Sequence, residues 1–354
     1  MTTPEQVLRA DIRALSAYHV PPSDGMLKLD AMENPYRLPR DMREDVARLA
    51  GEALLNRYPD PSAAALKRAI RAALKVPDEL DLLLGNGSDE IIQMLALAVA
   101  RPGAVLLGVE PSFVMFRMIA TIAGLRYVGV PLTADFQLDL PAVLAAIDEH
   151  RPALTFIAYP NNPTGNLFDA DAIAQIVRRS PGLVVADEAY HVFAARSFLP
   201  AIAQHSNLVV MRTVSKLGLA GLRLGYAAAH PDWIAEFDKV RPPYNVSILT
   251  QVAAEVTLRH ANVLEEQAAM IRAERAELAA RLAEMRGIEV FASEANFLLV
   301  RVKDAMKTDA VLRSRRILIR NLHGWHPLLA NCLRLTVGTP GENELMVSAL
   351  NEAL

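Results

Sequence analysis

Residues 182–190, Gly-Leu-Val-Val-Ala-Asp-Glu-Ala-Tyr, carry the pattern that decides the fold. The apolar half is uninterrupted, which is typical of a strand covered on both faces of a parallel sheet, and charged residues begin where that strand should end. Similar runs recur around it and predict strands at Ala104–Val109, Ala153–Ala158, Gly182–Ala186, Asn207–Arg212 and Leu224–Ala229. Helical patterns lie between them, as at Asp169–Arg178 and Pro231–Val240. This alternation predicts an α/β unit with a doubly wound, mostly parallel sheet.

A second, smaller unit is predicted after this sheet. Apolar residues recur at helical spacing from Asn262 to Arg286, with Gly287 just beyond, which indicates one long amphipathic helix. The strand-like runs that follow it suggest a small α+β domain: Ile288–Phe291, Asn296–Val302, Ile317–Arg320 and Cys332–Val337. The proline-rich start lacks periodicity and predicts an arm. We expect residues 1–45 to form this arm and part of the small domain, 46–265 the large domain, and 266–354 the rest of the small domain, which both chain ends would thus build.

Composition excludes several classes of function. The 354 residues include 37 Lys plus Arg and 40 Asp plus Glu, a net charge of −3, with no basic block for nucleic acid or an anionic membrane surface. The single cysteine, Cys332, excludes an intrachain disulfide, and no Cys/His spacing suggests a metal site. The most apolar run, Ile91–Ala100, is shorter than the roughly 20 residues of a membrane span. The first residues lack a signal-peptide pattern, so we expect a cytoplasmic protein.

We expect the functional site beyond the carboxyl ends of the strands, where open α/β sheets bind ligands. Asp187 would place a carboxylate at the tip of a buried strand, where a cationic partner is expected, although a helix N-cap is an alternative. Lys216 follows another strand and has Arg223 nearby. Partial burial beside a second cation favours the neutral amine, a nucleophile toward carbonyls. An ordinary loop lysine is the alternative.

The sequence argues against two classes of phosphate-binding protein, the P-loop ATPases and the dinucleotide-binding proteins. Apolar residues followed by Asp-Glu also occur in P-loop ATPases, but the chain has no Gly-Lys pair, which excludes that class. Residues 85–90, Gly-Asn-Gly-Ser-Asp-Glu, open a predicted helix whose N-terminus could bind phosphate, or could be a simple turn with an N-cap. Glu90 replaces the third glycine of a dinucleotide motif, which disfavours a dinucleotide.

Arg320 and Arg334 end or interrupt apolar runs near the C-terminus. Alternation in the strand 332–337 puts Arg334 on the face opposite Leu333 and Leu335. Such arginines can clamp a carboxylate or phosphate, or can simply be solvated at a sheet edge. His323 and His326 have no third ligand nearby and are interpreted as non-metal residues.

Seven motifs in order resemble the pyridoxal-phosphate-dependent aminotransferases of fold type I, and within them the histidinol-phosphate aminotransferases. The resemblance covers nearly the whole chain. The motifs are Asn-Arg-Tyr-Pro-Asp at 56–60, Gly-Asn-Gly-Ser-Asp-Glu at 85–90, Pro-Asn-Asn-Pro-Thr-Gly at 160–165, Asp-Glu-Ala-Tyr at 187–190, Ser-Lys at 215–216, Ala-Gly-Leu-Arg at 220–223 and Cys-Leu-Arg-Leu-Thr-Val-Gly at 332–338.

The resemblance implies roles for individual residues around pyridoxal 5'-phosphate. Lys216 would attach the cofactor covalently and move the proton, and Asp187 would pair with the ring nitrogen. Asn162 and Tyr190 would hydrogen-bond the ring's 3-oxygen, with Phe113 stacked on the ring. The large domain would thus bind the cofactor. The implied phosphate-binding residues are Gly87, Ser88, Asp89, Thr213, Ser215 and Arg223.

Further implied roles concern the substrate and a second subunit. Tyr58 would reach the phosphate of the other subunit's cofactor, so a homodimer with shared active sites is expected. The implied substrate-binding residues are Arg334, Arg320, Tyr18 and Asn34. The sequence departs from the family pattern at Phe113, where tyrosine is common, at Met32, where asparagine is expected, and in a Lys216–Arg223 spacing of 7, one shorter than usual.

The resemblance implies transfer of an amino group from histidinol phosphate to 2-oxoglutarate, a step of histidine biosynthesis that gives imidazole acetol phosphate and glutamate. Three alternatives stay open at this point: an aromatic amino-acid aminotransferase, a threonine-phosphate decarboxylase-like enzyme, and a catalytically silent protein that kept the fold. Small-molecule substrates are the expected partners, with no nucleic acid, membrane or metal.

Overall fold

The computed structural model describes residues 2–17 and 19–354. The strands are β1 Leu27–Lys28, β2 Asp81–Gly85, β3 Val105–Glu110, β4 Arg126–Pro131, β5 Leu154–Ala158, β6 Leu183–Asp187, β7 Leu208–Thr213, β8 Gly225–Ala229, β9 Ile288–Val290, β10 Phe297–Val302, β11 Ile317–Leu318, β12 Arg320–Asn321 and β13 Cys332–Thr336. The α-helices are α1 Pro4–Val7, α2 Ala10–Arg13, α3 Arg40–Glu52, α4 Ala64–Leu74, α5 Ser88–Val99, α6 Met115–Ala123, α7 Leu140–His150, α8 Ala170–Arg179, α9 Pro231–Asp238, α10 Ile248–Arg259, α11 Ala261–Ala283, α12 Ala305–Ser314 and α13 Pro340–Ala353. Short 3₁₀ turns lie at His191–Phe193, Leu199–Gln204, Ser215–Leu217, Ala220–Leu222 and Pro327–Leu329. Of the helices in the described part of the chain, none has the length and apolar character needed to cross a bilayer.

The large sheet has seven strands in the order β2-β8-β7-β6-β5-β3-β4. Its strands are parallel except β8, which runs antiparallel to both of its neighbours. The predicted α/β class with a mostly parallel, doubly wound sheet is therefore confirmed. Neither edge strand of this sheet, β2 or β4, was among the predicted strands. Strand β4 is mostly half-buried or exposed, so it lacks the continuous apolar run of a central strand.

Helices cover both faces of this sheet, which explains the uninterrupted apolar runs. Val184 and Ala186 of β6 face a hydrophobic cluster that includes residues of α4, α7 and α8. Leu183 and Val185 face the opposite cluster, which is built on α5, α6 and α9. Because successive side chains of a strand point to opposite faces, every residue of β6 is buried.

The C-terminal part forms a four-stranded antiparallel sheet in the order β12-β13-β10-β9. The predicted long helix is α11, and Gly287 beyond it has the left-handed φ of +86° that glycine accommodates. Strand β1, near the N-terminus, pairs with β11, so both ends of the chain build this unit. Helix α3 begins inside the segment that was predicted to be an arm, and packs against α10. The exact domain boundaries stay a prediction.

Candidate active site

A cavity of about 230 Å³ lies beyond the carboxyl ends of β5, β6 and β7. Strands of a parallel sheet end at one edge, so residues that are far apart in sequence converge there. The cavity brings together ten of the predicted site residues and borders the N-terminal arm at residues 31–33. The ten residues are Ser88, Asp89, Phe113, Asn162, Asp187, Tyr190, Thr213, Ser215, Lys216 and Arg223.

Lys216 lies on the 3₁₀ turn Ser215–Leu217, which directly follows β7 and Val214. Its Nζ donates a hydrogen bond to the carbonyl oxygen of Ala31, at 3.0 Å, and lies 5.6 Å from the centre of the Tyr190 ring. Burial lowers the pKa of Lys216 to about 8, and the positive charge of Arg334 acts in the same direction. A useful fraction of this amine is therefore neutral near pH 7, as a nucleophile or a base requires.

Asp187 is the last residue of β6 and is buried. Burial raises the pKa of its carboxyl to about 7, and the backbone N–H of Ala189, which donates to Oδ1 at 3.1 Å, opposes that rise. The negative charges of Asp89 and Glu188 raise the same pKa further. A cation bound beside Asp187 would stabilise its carboxylate form, so the site favours a protonated ring nitrogen.

An anion-binding arrangement surrounds the N-terminus of α5. Gly87 precedes the helix with a φ of +85°, and a Cβ at this position would lie 2.6 Å from Nη2 of Arg223. Glycine therefore allows the guanidinium to approach the first turn. The hydroxyls of Thr213 and Ser215 hydrogen-bond each other at 2.9 Å, on the neighbouring wall. Helix N–H groups, a guanidinium and two hydroxyls are suitable ligands for a phosphate.

Asp89 is an exception among the predicted phosphate ligands. Its carboxylate forms an ion pair with Arg223 at 3.5 Å. A carboxylate repels an anion, so Asp89 could help to bind phosphate only through its backbone N–H in the first turn of α5.

The two predicted substrate arginines lie on neighbouring strands. Arg320 of β12 is directly opposite Arg334 of β13, so both side chains leave the same face of the small sheet. Arg334 donates to Oδ1 of Asn162 at 2.6 Å and to the carbonyl of Asp30 at 2.8 Å. The Arg320 guanidinium lies 4.6 Å from the centre of the Trp325 ring.

Both arginines line a second cavity, of about 220 Å³, next to the first. The two cavities share Met32, Phe113 and Asn162. A ligand that reacts at Lys216 could therefore extend past these three residues toward a cationic wall.

Two other predicted residues, Tyr58 and Asn34, line neither of these cavities. Tyr58 is 78% exposed and stacks on Tyr244 with ring centres 4.4 Å apart. Asn34 donates to the carbonyl of Leu217 at 3.4 Å and to Gln267 at 3.0 Å, so it braces the turn after Lys216. The prediction for Tyr18 falls outside the described residues. Within the described ranges, no group of three His, Cys, Asp or Glu side chains could hold a metal.

The arm residues Ala31, Met32 and Glu33 line the first cavity, although none of them was among the predicted site residues. Met32 has a left-handed φ of +52°, which asparagine accommodates more readily than methionine. Its peptide is fixed on both sides, because its N–H donates to Thr336 Oγ1 at 3.1 Å and its carbonyl accepts from Asn296 at 3.0 Å. Periodicity could not reveal these contacts, since the arm has no regular element here.

Comparisons with known proteins agree with this geometry. Residues 24–350 match the family "Aminotransferase class I and II". The chain is 55% identical to histidinol-phosphate aminotransferase 2 of Cupriavidus pinatubonensis, over 99% of this chain and 97% of that protein. It is also 55% identical to histidinol-phosphate aminotransferase of Chromobacterium violaceum, over 98% of each chain. The crystal structure of histidinol-phosphate aminotransferase from Sinorhizobium meliloti in complex with pyridoxal-5'-phosphate superposes with a TM-score of 0.87 at 26% identity, over 98% of this chain and 97% of that one.

The chain therefore belongs to the class I and II aminotransferases. Within that class, its family is that of the histidinol-phosphate aminotransferases.

The first cavity has the features that a pyridoxal phosphate requires. Gly87 leaves room for Arg223 at the N-terminus of α5, where a phosphate would bind. The Asp187 carboxyl is buried and would pair with a ring N–H. Lys216 reaches into the same cavity with a partly neutral amine. These groups fit the phosphate, the ring nitrogen and the carbonyl carbon of the cofactor, respectively.

The lowered pKa of Lys216 predicts selective labelling of the cofactor-free protein. An amine-specific reagent should modify Lys216 half-maximally near pH 8, because the neutral amine is the reactive form. Arg334→Gln should move that midpoint upward, since it removes a positive charge. Peptide mass spectrometry across pH 6–11 would follow the reaction, with exposed Lys307 as the internal reference for reagent decay. A midpoint that does not move in the variant would contradict the role of Arg334.

The raised pKa of Asp187 predicts a pH-dependent stability. The unfolded carboxyl loses its proton near pH 4 and the folded one only near pH 7, so the cofactor-free protein should lose stability as the pH rises through this range. Asp187→Asn should therefore raise the melting temperature at pH 8 more than at pH 5, while it weakens cofactor binding. Thermal denaturation of both cofactor-free proteins tests this. An equal difference at the two pH values would be the contrary result.

Proposed function

We propose that this pyridoxal-phosphate-dependent aminotransferase transfers the amino group of histidinol phosphate to 2-oxoglutarate. The observation that carries the proposal is the shared location of Lys216, Asp187 and a phosphate-binding helix start in one cavity, next to a second cavity lined by two arginines. The curated relatives named above carry the same activity in their names, which supports this choice of substrate.

When bound, pyridoxal phosphate supplies a carbonyl carbon that reacts with amines and a ring that accepts electron density. Lys216 would give up its hydrogen bond to Ala31, and its Nζ would serve both as the nucleophile that holds the cofactor and as the base that takes and returns the substrate proton. Asp187 would hold a proton on the ring nitrogen, which would keep the ring electron-poor. Asn162 and Tyr190 line the same cavity and would orient the 3-oxygen of the ring.

Phe113 lines the same wall and would cover the face of the ring. Its own ring meets Phe116 edge to face, with centres 5.6 Å apart, so its position is fixed from behind. Stacking needs only this aromatic face, so phenylalanine can fill the place where tyrosine is common in the family.

Arg334 and Arg320 would bind the anionic end of each substrate. Both guanidinium groups line the second cavity, and Arg334 also contacts Asn162, so anion recognition lies next to the reacting centre. Two arginines suit the doubly charged phosphate of histidinol phosphate, and the same groups can take a carboxylate of glutamate or 2-oxoglutarate. This arrangement favours a phosphorylated or dicarboxylic substrate over an uncharged aromatic side chain.

A homodimer with shared active sites is part of the proposal. Tyr58 is exposed, and Leu54 and Leu55 beside it in sequence are exposed as well, at 64% and 69%. Large apolar side chains clustered on a surface are typical of an interface. From this position, Tyr58 would extend into the partner's cofactor site. We further infer a cytoplasmic location from the single, unpaired Cys332.

A donor panel tests the substrate assignment. Turnover with 2-oxoglutarate should be fastest with histidinol phosphate and much slower with phenylalanine, while O-phosphothreonine should not be decarboxylated. Lys216→Ala should abolish turnover, and Arg334→Lys should raise KM for histidinol phosphate because it loses the planar fork. A preference for phenylalanine would replace the assignment with an aromatic aminotransferase. Bound cofactor without turnover of any donor would favour a silent protein.

Complementation tests the shared site. Lys216→Ala and Tyr58→Ala each damage one part of the site, and in a mixed dimer both changes fall on the same site if Tyr58 crosses the interface, which leaves the other site intact. One intact site then forms in each mixed dimer, so mixing the two variants under exchange conditions should restore about a quarter of wild-type activity. Mixing each variant with itself is the control. Activity that stays at the level of the separate variants would place Tyr58 outside the partner's site.

A further inference from the structure

A buried ion pair lies directly behind the first cavity, and the reaction described above does not use it. Nε and Nη2 of Arg212 donate to Oε2 of Glu188 at 3.0 and 2.8 Å. The Glu188 side chain is fully buried, and that of Arg212 is 6% exposed. This pair is far less accessible than a surface salt bridge, so its geometry is set by the protein interior.

Each member of the pair is the chain neighbour of a predicted cofactor ligand. Glu188 follows Asp187 at the end of β6, and Arg212 precedes Thr213 at the end of β7. The parallel register pairs Asp187 with Met211, which brings the next residues, Glu188 and Arg212, side by side. Successive side chains alternate between faces, so the ligands face the cavity and the ion pair lies on the opposite side of the sheet.

The network extends from the ion pair to a third strand. Arg212 is directly opposite Tyr226 of β8, and Nη1 donates to the Tyr226 hydroxyl at 3.3 Å. The network therefore spans β6, β7 and β8 at the edge where the cavity opens.

The same network holds the loop that follows Tyr190. The Ser197 hydroxyl donates to Oε2 of Glu188 at 2.9 Å and accepts from Nη2 of Arg212 at 2.8 Å. The backbone N–H of Phe198 donates to the other carboxylate oxygen, Oε1, at 2.5 Å. Every carboxylate oxygen of Glu188 thus has a donor, as a buried anion requires.

Stability alone gives little reason for this arrangement. A buried ion pair recovers little more than its desolvation penalty, and apolar residues of similar volume often replace such pairs without loss. A fully hydrogen-bonded charged network instead fixes geometry, because its members have only one satisfied arrangement. The elements fixed here are those that end in Asp187 and Thr213.

We propose that Glu188 and Arg212 are positioning residues that fix Asp187 against the cofactor's ring nitrogen and Thr213 against its phosphate. The proposal rests on the proposed function, since it concerns the cofactor of that reaction. Neither Glu188 nor Arg212 lines the cofactor cavity, because both side chains lie on the far face of the sheet. The pair acts through the backbone, because Glu188 is bonded to Asp187 and Arg212 is bonded to Thr213.

The test is a double-mutant cycle on cofactor binding by the cofactor-free protein. Glu188→Gln and Arg212→Gln should each weaken pyridoxal phosphate binding by about tenfold or more, because each leaves the other partner buried without its counter-charge and moves the strand ends. The double variant should bind pyridoxal phosphate no more weakly than the single variant with the higher dissociation constant, since both changes disrupt the same ion pair. Absorbance titration measures the dissociation constant.

Visible circular dichroism of the bound cofactor supplies a readout that a loss of stability would not move. Its band should change in both single variants, because the orientation of the ring against Asp187 changes. Ser197→Ala removes one hydroxyl from the network and should give a smaller change of the same sign. This milder variant also keeps the test available if the charge-removing variants fold poorly.

Arg71→Gln is the matched control. Arg71 is partly buried and pairs with Asp81 at 3.4 Å, at the opposite end of β2 from the cavity. It should lower the melting temperature of the cofactor-free protein without changing the dissociation constant or the dichroic band.

Variants of Glu188 and Arg212 that behave like this control, or whose effects on binding simply add, would overturn the proposal. Failure of the wild-type protein to bind pyridoxal phosphate would instead contradict the proposed function, so the two failures are distinguishable.

Discussion

The site depends on one constraint, which is that the central strands end inside the protein. Strands β5, β6 and β7 are buried on both faces. Folding therefore removes the polar residues at their carboxyl ends from water, even before a ligand binds. Desolvation then sets their chemistry. It raises the pKa of Asp187 to about 7 and lowers that of Lys216 to about 8, which places both groups near their titration points at neutral pH. The same constraint requires Glu188 to find a buried cation, which Arg212 supplies.

Much of this arrangement could be predicted from the sequence, since local rules decide it. Continuous apolar runs mark the central strands, and chain order places Asp187 and Lys216 at their ends. Edge strand β4 was not predicted, because a partly exposed strand has no continuous apolar run. The Glu188–Arg212 ion pair was not predicted, because these two residues are 24 positions apart and only the register of β6 against β7 brings them into contact. Such contacts between distant segments leave no periodic signal.

The position of the arm was the least predictable part of the site. It contains two short helices and strand β1 but no regular element at residues 30–34, so its path follows contacts with distant residues. Met32 is fixed by Thr336 and Asn296, and Asn34 by Leu217 and Gln267. Met32 also lies where the two cavities meet, beside Phe113 and Asn162. Its side chain thus limits the shape of any ligand that extends from the reacting centre to the arginines.

Two neighbouring carbonyl groups of that arm bind the two principal cations of the site. Asp30 accepts from Arg334, and Ala31 accepts from Lys216. An anion that draws Arg334 away and a carbonyl compound that engages Lys216 each release one hydrogen bond of the same short peptide segment. Each ligand thus removes one restraint on residues 30 and 31, and any coupling between the two sites that results has the same free energy whichever ligand arrives first.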